Sequence, residues 1–332
     1  MATIRVLLAT HRRAHLLPRA LASLQAQTFT DWVCEVHNDD PKDVAPAGIV
    51  AATHDARISY QQHSQNLGVS RTVNLLFAHA PEAFAALLED DNWWEPRLLA
   101  TLLAILQERP EAEVVWNNLR LWREESSGTW TDLGRTVWPV PPQPGVRSFD
   151  WPAVRHVLGH LHSNGAMLVR RRMPDEHCIP AITAPGISEA VRERSFHFPL
   201  LLAEEPLANF AVTRTTARAN EQRPFFQQQV LLAATFFRHV TPHRPFARDV
   251  FADARRTPGR TTHVLALGAL LSAAGLRWLR FLRPTDWAWF LAWAARHPRN
   301  LASALNGRRH MPELWTYLNR HTARLAARAA AH

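Results

Sequence analysis

What most constrains this chain is an alternation of short apolar runs with amphipathic helical stretches through its first third. Ile4–Ala9, Trp32–His37, Arg57–Gln61, Phe84–Leu88 and Val114–Trp116 have the length and the β-branched, leucine or aromatic content of buried strands. Between them, the stretch around Pro18–Gln27 sets Leu17, Leu21 and Leu24 on one face, and Val69–His79 and Pro96–Gln107 also carry apolar residues at helical spacing. A β-α-β-α order predicts a mostly parallel sheet with right-handed crossovers, whose functional loops leave the carboxyl ends of the strands.

Further along, residues 119–133 read as two strands around Ser126-Ser127-Gly128, and residues 138–152 as a proline-rich loop over the active face. From about residue 222 the pattern is helical and arginine-rich, broken at Pro242, Pro258, Pro284 and Pro298. With 332 residues the chain exceeds the roughly 250–300 at which single cores stop growing, so one large domain with an annex is expected. The expected limits are 1–210 for an α/β body and 211–332 for a basic, Trp/Arg-rich helical region.

Charge supports that division. The formal net charge of +9 would suggest a polyanion partner, but residues 211–332 hold 19 basic against 5 acidic residues, a net of +14. Residues 1–210 are left at −5. Cys34 and Cys178 match no metal or redox spacing. The N-terminal apolar run is interrupted at Arg5 and ends by Arg12, which suits a first strand better than a signal peptide. Val264–Leu276, at 13 residues, is short of the ~20 a spanning helix needs. A cytoplasmic protein is expected, with peripheral attachment to the inner face of the cytoplasmic membrane as an open alternative.

The chemistry-bearing segment is Leu87-Leu88-Glu89-Asp90-Asp91-Asn92-Trp93-Trp94-Glu95-Pro96. Carboxylates just past a buried strand are placed to hold Mg²⁺ or Mn²⁺, which takes one or two carboxylates together with waters and substrate phosphate oxygens. An acidic helix N-terminus is the plainer alternative, since Asp and Asn cap helices and Pro96 suits a first turn. A second acidic strand end, Asn38-Asp39-Asp40, favours the metal-and-phosphate site.

Residues 1–210 resemble the inverting family-2 glycosyltransferases of the GT-A nucleotide-sugar fold. The resemblance is carried, in order, by Val6-Leu7-Leu8-Ala9-Thr10-His11-Arg12-Arg13, by Leu21–Asp31, by Val36-His37-Asn38-Asp39-Asp40, by Asn66-Leu67-Gly68-Val69-Ser70 and by Glu89–Pro96. It implies an α/β, Rossmann-like body with a C-terminal α-helical region. It also implies a UDP- or dTDP-sugar donor, a divalent Mn²⁺ or Mg²⁺ ion, and a hydroxyl acceptor on a surface glycan or lipid-linked glycan. Asp39 would receive the N3–H of the donor's uracil or thymine, with Thr10, His11 and Arg12 lining the base. Asp90 would sit near the ribose or the metal, Asp91 would be the principal metal ligand, and Arg71 would approach the phosphates unless it is a solvated helix arginine.

The family's base follows a loop and precedes a helix, a context supplied here by Ala184–Arg192. Glu189 is the implied base and Glu193, one turn on, the runner-up. Alternatively Ser188 caps that helix and Glu189 only favours its dipole. Glu204-Glu205-Pro206-Leu207 resembles the family's closing strand. Two departures stand out: the family's Asp-Asp-Gly-Ser is Asn38-Asp39-Asp40-Pro41, and its helix-three arginine position is Val73.

Asn164 and Gly165 fit a strand flanking the donor sugar. Trp93 and Trp94 are candidates for one core side chain and one sugar platform, and Trp138 and Trp151 are similar candidates. His156, His160 and His162 lack a further ligand at zinc spacing and are expected to line a loop or the surface. Arg277, Arg280 and Arg283 recur every three residues ahead of Trp287, Trp289 and Trp293. That pattern fits peripheral membrane contact, a homodimer contact or packing on the body. No nucleic-acid partner is expected. The rivals are a nucleotidyltransferase (which would need a glycine-rich loop after the first strand), a nucleic-acid binder using the basic region, and a non-catalytic scaffold of the same fold.

Overall fold

The structure is a computed structural model that describes residues 3–77, 82–171, 174–214 and 222–331. The chain forms two compact units interleaved in sequence. The first takes in Met1–Phe149, His162–Cys178 and Phe196–Ala217, the second Asp150–Leu161, Ile179–Ser195 and Arg218–His332.

The first unit runs β1 (Ile4–Thr10), α1 (Leu17–Gln25), β2 (Trp32–Asn38), α2 (Ala45–Ala51), β3 (Ile58–Gln62), α3 (Val69–Asn74), β4 (Phe84–Glu89), β5 (Trp93–Trp94) and α4 (Leu98–Glu108), then β6 (Val114–Glu124), β7 (Trp130–Thr136), β8 (Val146–Phe149) and β9 (Met167–Arg170). The sheet is completed by β10 (Leu200–Val212) and has the order β3-β2-β1-β4-β9-β6-β10-β5, with β7 on β6 and β8 on β10. Strands β1, β2, β3 and β4 are mutually parallel, as the alternation predicts. The later strands make the sheet mixed, because β9 enters antiparallel between β4 and β6. The core between sheet and helices joins Val6 and Leu8 of β1 to Leu17, Leu21 and Leu24 of α1 and to Leu99, Leu102 and Leu106 of α4. Each fully buried leucine contributes about 1.5–3 kcal/mol.

Three local differences from the sequence reading have clear causes. Strand β6 runs unbroken through Leu119 to Glu124 and turns into β7 around Gly128, whose φ of 81° a side chain would resist. The expected loop over 138–152 contains β8, which pairs antiparallel with β10; Glu204 secures it by accepting from Gly145 N at 3.1 Å and Arg147 Nε at 2.8 Å. The expected closing strand at Glu204–Leu207 is part of β10, at an irregularity in the β10–β6 ladder where Pro206 can sit. There the Asn117 amide bridges the gap, donating to Glu205 O at 2.9 Å and accepting from Leu207 N at 2.6 Å. The expected helix over Val69–His79 is α3, ending at Asn74; residues 78 and 79 lie outside the described residues.

The second unit contains α5 (Ser188–Glu193), α6 (Gln222–His239), α7 (Arg244–Arg256), α8 (Thr262–Leu270), α9 (Pro284–Arg296), α10 (Pro298–Leu305), α11 (Gly307–His310) and α12 (Pro312–Ala329). Proline stands in the first turn of α7, α9, α10 and α12, where its missing N–H costs nothing. Helix α8 is buried from Thr262 to Ala269. It approaches α6 so closely at Gly268 that a Cβ there would lie 2.7 Å from that of Ala233. Leu314 and Leu318 of α12 close a core with Leu231 and Leu232 of α6. Among the described residues, no helix is long and apolar enough to cross a membrane.

Candidate active site

The site grows from strand register. Thr10 stands opposite Asn38 and Ala9 opposite Glu89, so the loops after β1, β2 and β4 leave the same edge of the sheet side by side. This is where an open α/β sheet binds its ligand.

Asp39 is 6 % exposed and already engaged. Its Oδ1 accepts from Leu67 N at 2.7 Å and pairs with His63 Nδ1 at 3.0 Å, while Oδ2 accepts from Gly68 N at 2.9 Å. Gly68 has φ 78°, which lets its N–H turn toward the carboxylate as α3 begins. The Asn66-Leu67-Gly68 turn is thus wrapped around Asp39, and Oδ2 keeps capacity for a further donor. Behind His63, its Nε2 meets His37 Nδ1 at 2.9 Å, and His37 Nε2 meets Glu35 Oε2 at 3.2 Å. Arg5 in turn pairs with Glu35. Burial lowers the His37 pKa, against the pull of Glu35.

The loop after β1 brings the cations. Arg12 sits in the left-handed region at φ 56° and donates Nε to Asp40 Oδ2 at 2.7 Å, which holds the Asp40 carboxyl below its usual range. Arg13 spans two acids, with Nη2 2.5 Å from Asp90 Oδ1 and Nη1 2.6 Å from Asp91 Oδ2. Burial opposes the Arg13 charge, but Asp90, Asp91 and Glu89 outweigh it and its pKa is raised. Asp90 is 0 % exposed; burial pushes its carboxyl up to about 7, with Arg13 opposing and Asp91 adding to the shift. Arg19 donates Nη2 to the Asp91 carbonyl at 2.8 Å and lies 3.8 Å from the ring centres of both Trp93 and Trp130. Burial lowers its pKa to about 10.

The fit to a divalent ion follows from these contacts. Among the described residues no three His, Cys, Asp or Glu side chains converge to hold a metal. Asp91 has Oδ2 on Arg13 and, among the described residues, no partner on Oδ1. That suits Mg²⁺ or Mn²⁺ bound through one carboxylate, with waters and donor phosphates supplying the rest. Asp90, expected at the ribose or the metal, lies wholly buried beneath Arg13.

The other expected contacts divide. Thr10 is buried at the end of β1, His11 Nδ1 lies 3.3 Å from Asn66 Nδ2, and Arg71 is exposed on α3. Trp94 is the core member of the tryptophan pair: it is 2 % exposed and donates Nε1 to Gly165 O at 2.9 Å, so it offers no face to a sugar. One side of Trp93 is occupied by Arg19, and its ring also meets Trp122 and Trp130. Trp138 packs with Trp116 and Phe149. Asn164 and Gly165 are buried, and Gly165 is required by crowding, since a Cβ there would lie 2.6 Å from Glu89 Oε2 and 2.9 Å from Asn92 Nδ2. Sequence reasoning did not single out Arg13, Arg19 and His63 as site residues; Arg13 alone had a signal, standing beside Arg12 just past a strand flanked by two acidic strand ends.

In the second unit, Glu189 lies in the first turn of α5 with Oε2 3.3 Å from His160 Nε2. Ser188 does not cap this helix: it is the first residue of α5, Ile187 stands at the cap position, and the Ser188 hydroxyl donates to Pro185 O at 2.8 Å. Glu193, 2 % exposed, has both carboxylate oxygens on Leu161 N, at 3.1 and 2.8 Å, with His156 Nε2 3.4 Å from Oε1. It is thereby committed to structure. His156 also stacks on Trp151, while in the first unit His162 meets the edge of Phe196.

Glycosyl transferase family 2 matches residues 5–164 of the chain. No curated protein matches the sequence. Among solved structures, S. aureus TarS 1–349 in complex with UDP-GlcNAc is similar with TM-score 0.59 at 11 % identity, over 98 % of this chain and 89 % of that one. The same protein in complex with UDP gives 0.58 at 12 %, over 92 % and 90 %. The mannosyltransferase PcManGT from Pyrobaculum calidifontis, in complex with GDP-Man and Mn²⁺, gives 0.52 at 13 %, over 98 % and 87 %. With acids at the strand ends of a mixed sheet of this type, residues 5–164 match glycosyl transferase family 2, and the fold is GT-A-like.

Proposed function

We propose that the protein transfers a sugar, with inversion, from a UDP- or dTDP-sugar to a hydroxyl of a surface-glycan or lipid-linked acceptor. The observation that carries this is the register that sets Asp39 and the Asp90–Asp91 pair at neighbouring strand ends, with Asp39 Oδ2 still able to accept. In this reading Asp39 receives the N3–H of the base, and Thr10 and the backbone near His11 and Arg12 line it. Asp91 holds the divalent ion, which when bound offsets the charge developing on the departing diphosphate. The acceptor oxygen forms its bond to the anomeric carbon as the bond to the diphosphate oxygen breaks. Glu189 takes the hydroxyl proton, and His160, beside its Oε2, steadies the carboxylate for that task. The solved structures of this fold that hold UDP, UDP-GlcNAc or GDP-Man with Mn²⁺ support a nucleotide-sugar donor.

The division proposed is that residues 1–210 carry the transfer chemistry and residues 211–332 serve attachment. Exposed Trp289 and Leu291 on α9, beside the exposed Arg283 and Arg296, suit the anionic inner face of a membrane that carries a lipid-linked acceptor.

The test is thermal stabilisation by nucleotides with and without Mn²⁺. UDP or dTDP should raise the melting temperature, Mn²⁺ should add to the rise, and Asp91→Ala should abolish the Mn²⁺ increment and transfer. Stabilisation by no nucleotide, or full transfer by Asp91→Ala, would overturn the reading.

A further inference from the structure

One guanidinium neutralises the acidic strand end after β4. Arg13 places its two terminal nitrogens on consecutive carboxylates, 2.5 Å from Asp90 Oδ1 and 2.6 Å from Asp91 Oδ2, and Glu89 acts on the same charge. Three adjacent acids at one strand end repel one another unless a cation stands among them. A planar fork can satisfy two carboxylates at once, which a point charge such as lysine cannot do.

The two arginines at this strand end differ in how firmly they are held. Arg19 is clasped between Trp93 and Trp130 and bonds the Asp91 carbonyl, which fixes the backbone of Asp91 whatever its side chain does. Arg13 reaches in from a loop, with its side chain 23 % exposed, and holds only side-chain oxygens. Arg13 can therefore leave Asp91 without unseating it.

We propose that Arg13 is the resident counter-cation of the Asp90–Asp91 pair and an exchangeable one. It competes with a divalent ion for Asp91, and on donor binding it turns from Asp91 to the diphosphate oxygens, keeping its hold on Asp90. This rests on the reading of Asp91 as the metal ligand. Its consequence is reciprocal coupling: phosphates give Arg13 another partner, so nucleotide tightens metal and metal tightens nucleotide by the same factor.

The experiment measures Mn²⁺ binding to the full chain, by the electron paramagnetic resonance signal of free Mn²⁺, with and without UDP. In the wild type, UDP should tighten Mn²⁺ strongly. Arg13→Gln should tighten Mn²⁺ in the absence of UDP by at least about tenfold, about 1.4 kcal/mol, and should shrink the coupling to UDP. Arg13→Lys, which keeps the charge and loses the fork, should fall between, and it carries the same prediction if Arg13→Gln does not fold. Mn²⁺ affinity in either folded variant equal to or weaker than in the wild type would overturn the proposal. Asp91→Asn separates the two claims. If Mn²⁺ binding is unchanged in Asp91→Asn, the ligand reading fails and the exchange with it. If it is lost there while Arg13→Gln leaves affinity unchanged, the exchange alone fails.

Discussion

Asp39 is proposed to read the donor's base, yet the structure also makes it the anchor of the Asn66–Gly68 turn, and the two roles can be separated. Asp39→Ala removes the acceptor for Leu67 N at 2.7 Å, Gly68 N at 2.9 Å and His63 Nδ1 at 3.0 Å. A hydrogen bond to an ionised acceptor contributes about 1.5–3 kcal/mol. Some of that returns when water reaches the partly exposed turn, so the expected loss is about 3–5 kcal/mol. For a body of this size the melting temperature should fall by on the order of 10 °C. Asp39→Asn keeps the shape but turns one acceptor into a donor that faces an N–H or an imidazole, and should lose about half as much. His63→Leu removes one bond of the three and the contact to His37 Nδ1 behind it, and should cost about 1–2 kcal/mol. Differential scanning fluorimetry gives the order wild type, His63→Leu, Asp39→Asn, Asp39→Ala, and UDP titration by calorimetry should show binding lost in both Asp39 variants. The reasoning is refuted if Asp39→Ala melts within about 1 °C of the wild type, because the turn would then not depend on the carboxylate.

Three other outcomes are expected. Gly165→Ala forces a Cβ to 2.6 Å from Glu89 Oε2 and against the 2.7 Å Asn92–Glu89 bond, and should destabilise by about 1–3 kcal/mol; an unchanged denaturant midpoint would contradict the packing. Glu189→Gln should keep UDP affinity and lower turnover by about 10²–10⁴-fold, and an unchanged turnover number would remove it as the base. Asp55, drawn down to about 2 chiefly by its Arg57 hydrogen bond, contributes stability that is whole above its ordinary 3.8 and fades as pH falls toward 2. Asp55→Asn should therefore be less stable than the wild type at pH 5, by on the order of 1 kcal/mol for a pair only partly shielded from water, with the gap closing by pH 2; a gap that is constant with pH would count against the ion pair.

Strands β1 and β4 were legible because parallel strands buried on both faces read as near-continuous apolar runs, and β2 was legible from Trp32, Val33 and Val36. Their parallel order already put the Asn38–Asp40 and Glu89–Asp91 clusters at carboxyl strand ends, while the register came from the structure. Strand β8 was hidden because Val146-Arg147-Ser148-Phe149 alternates weakly and depends on Glu204, 57 residues from Arg147. Helix α2 is only seven residues, with Pro46 and Gly48 among them and no polar residue to mark an amphipathic face, and β5 is two residues. The partners of the acids escaped for a related reason: the Arg13–Asp91 pair spans 78 residues, and periodicity carries no information about which loop cation meets which loop acid. Trp93 was expected as one possible sugar platform, but α1 delivers Arg19 to its face, a tertiary event that no local pattern near residue 93 encodes.

Locating the charges changes the expected binding physics at both ends of the chain. Each acidic strand end meets its own arginine: Asp40 meets Arg12, and Asp90 and Asp91 meet Arg13. The local field at the site is therefore weaker than the −5 of residues 1–210 suggests. A diphosphate arriving there is not repelled by bare carboxylates, and it exchanges one anion for another on arginines already in place. Such an exchange changes few released counterions, so nucleotide affinity should depend shallowly on salt. The +14 of residues 211–332 has no comparable internal compensation, although Asp286 holds Arg255 and Arg260. Contact of that region with an anionic surface should weaken steeply between low and moderate salt. Comparing the two salt slopes on one preparation, UDP by calorimetry and anionic vesicles by sedimentation, tests whether the basic helices attach the enzyme or bind its donor; equal slopes would place both anions on the same arginines.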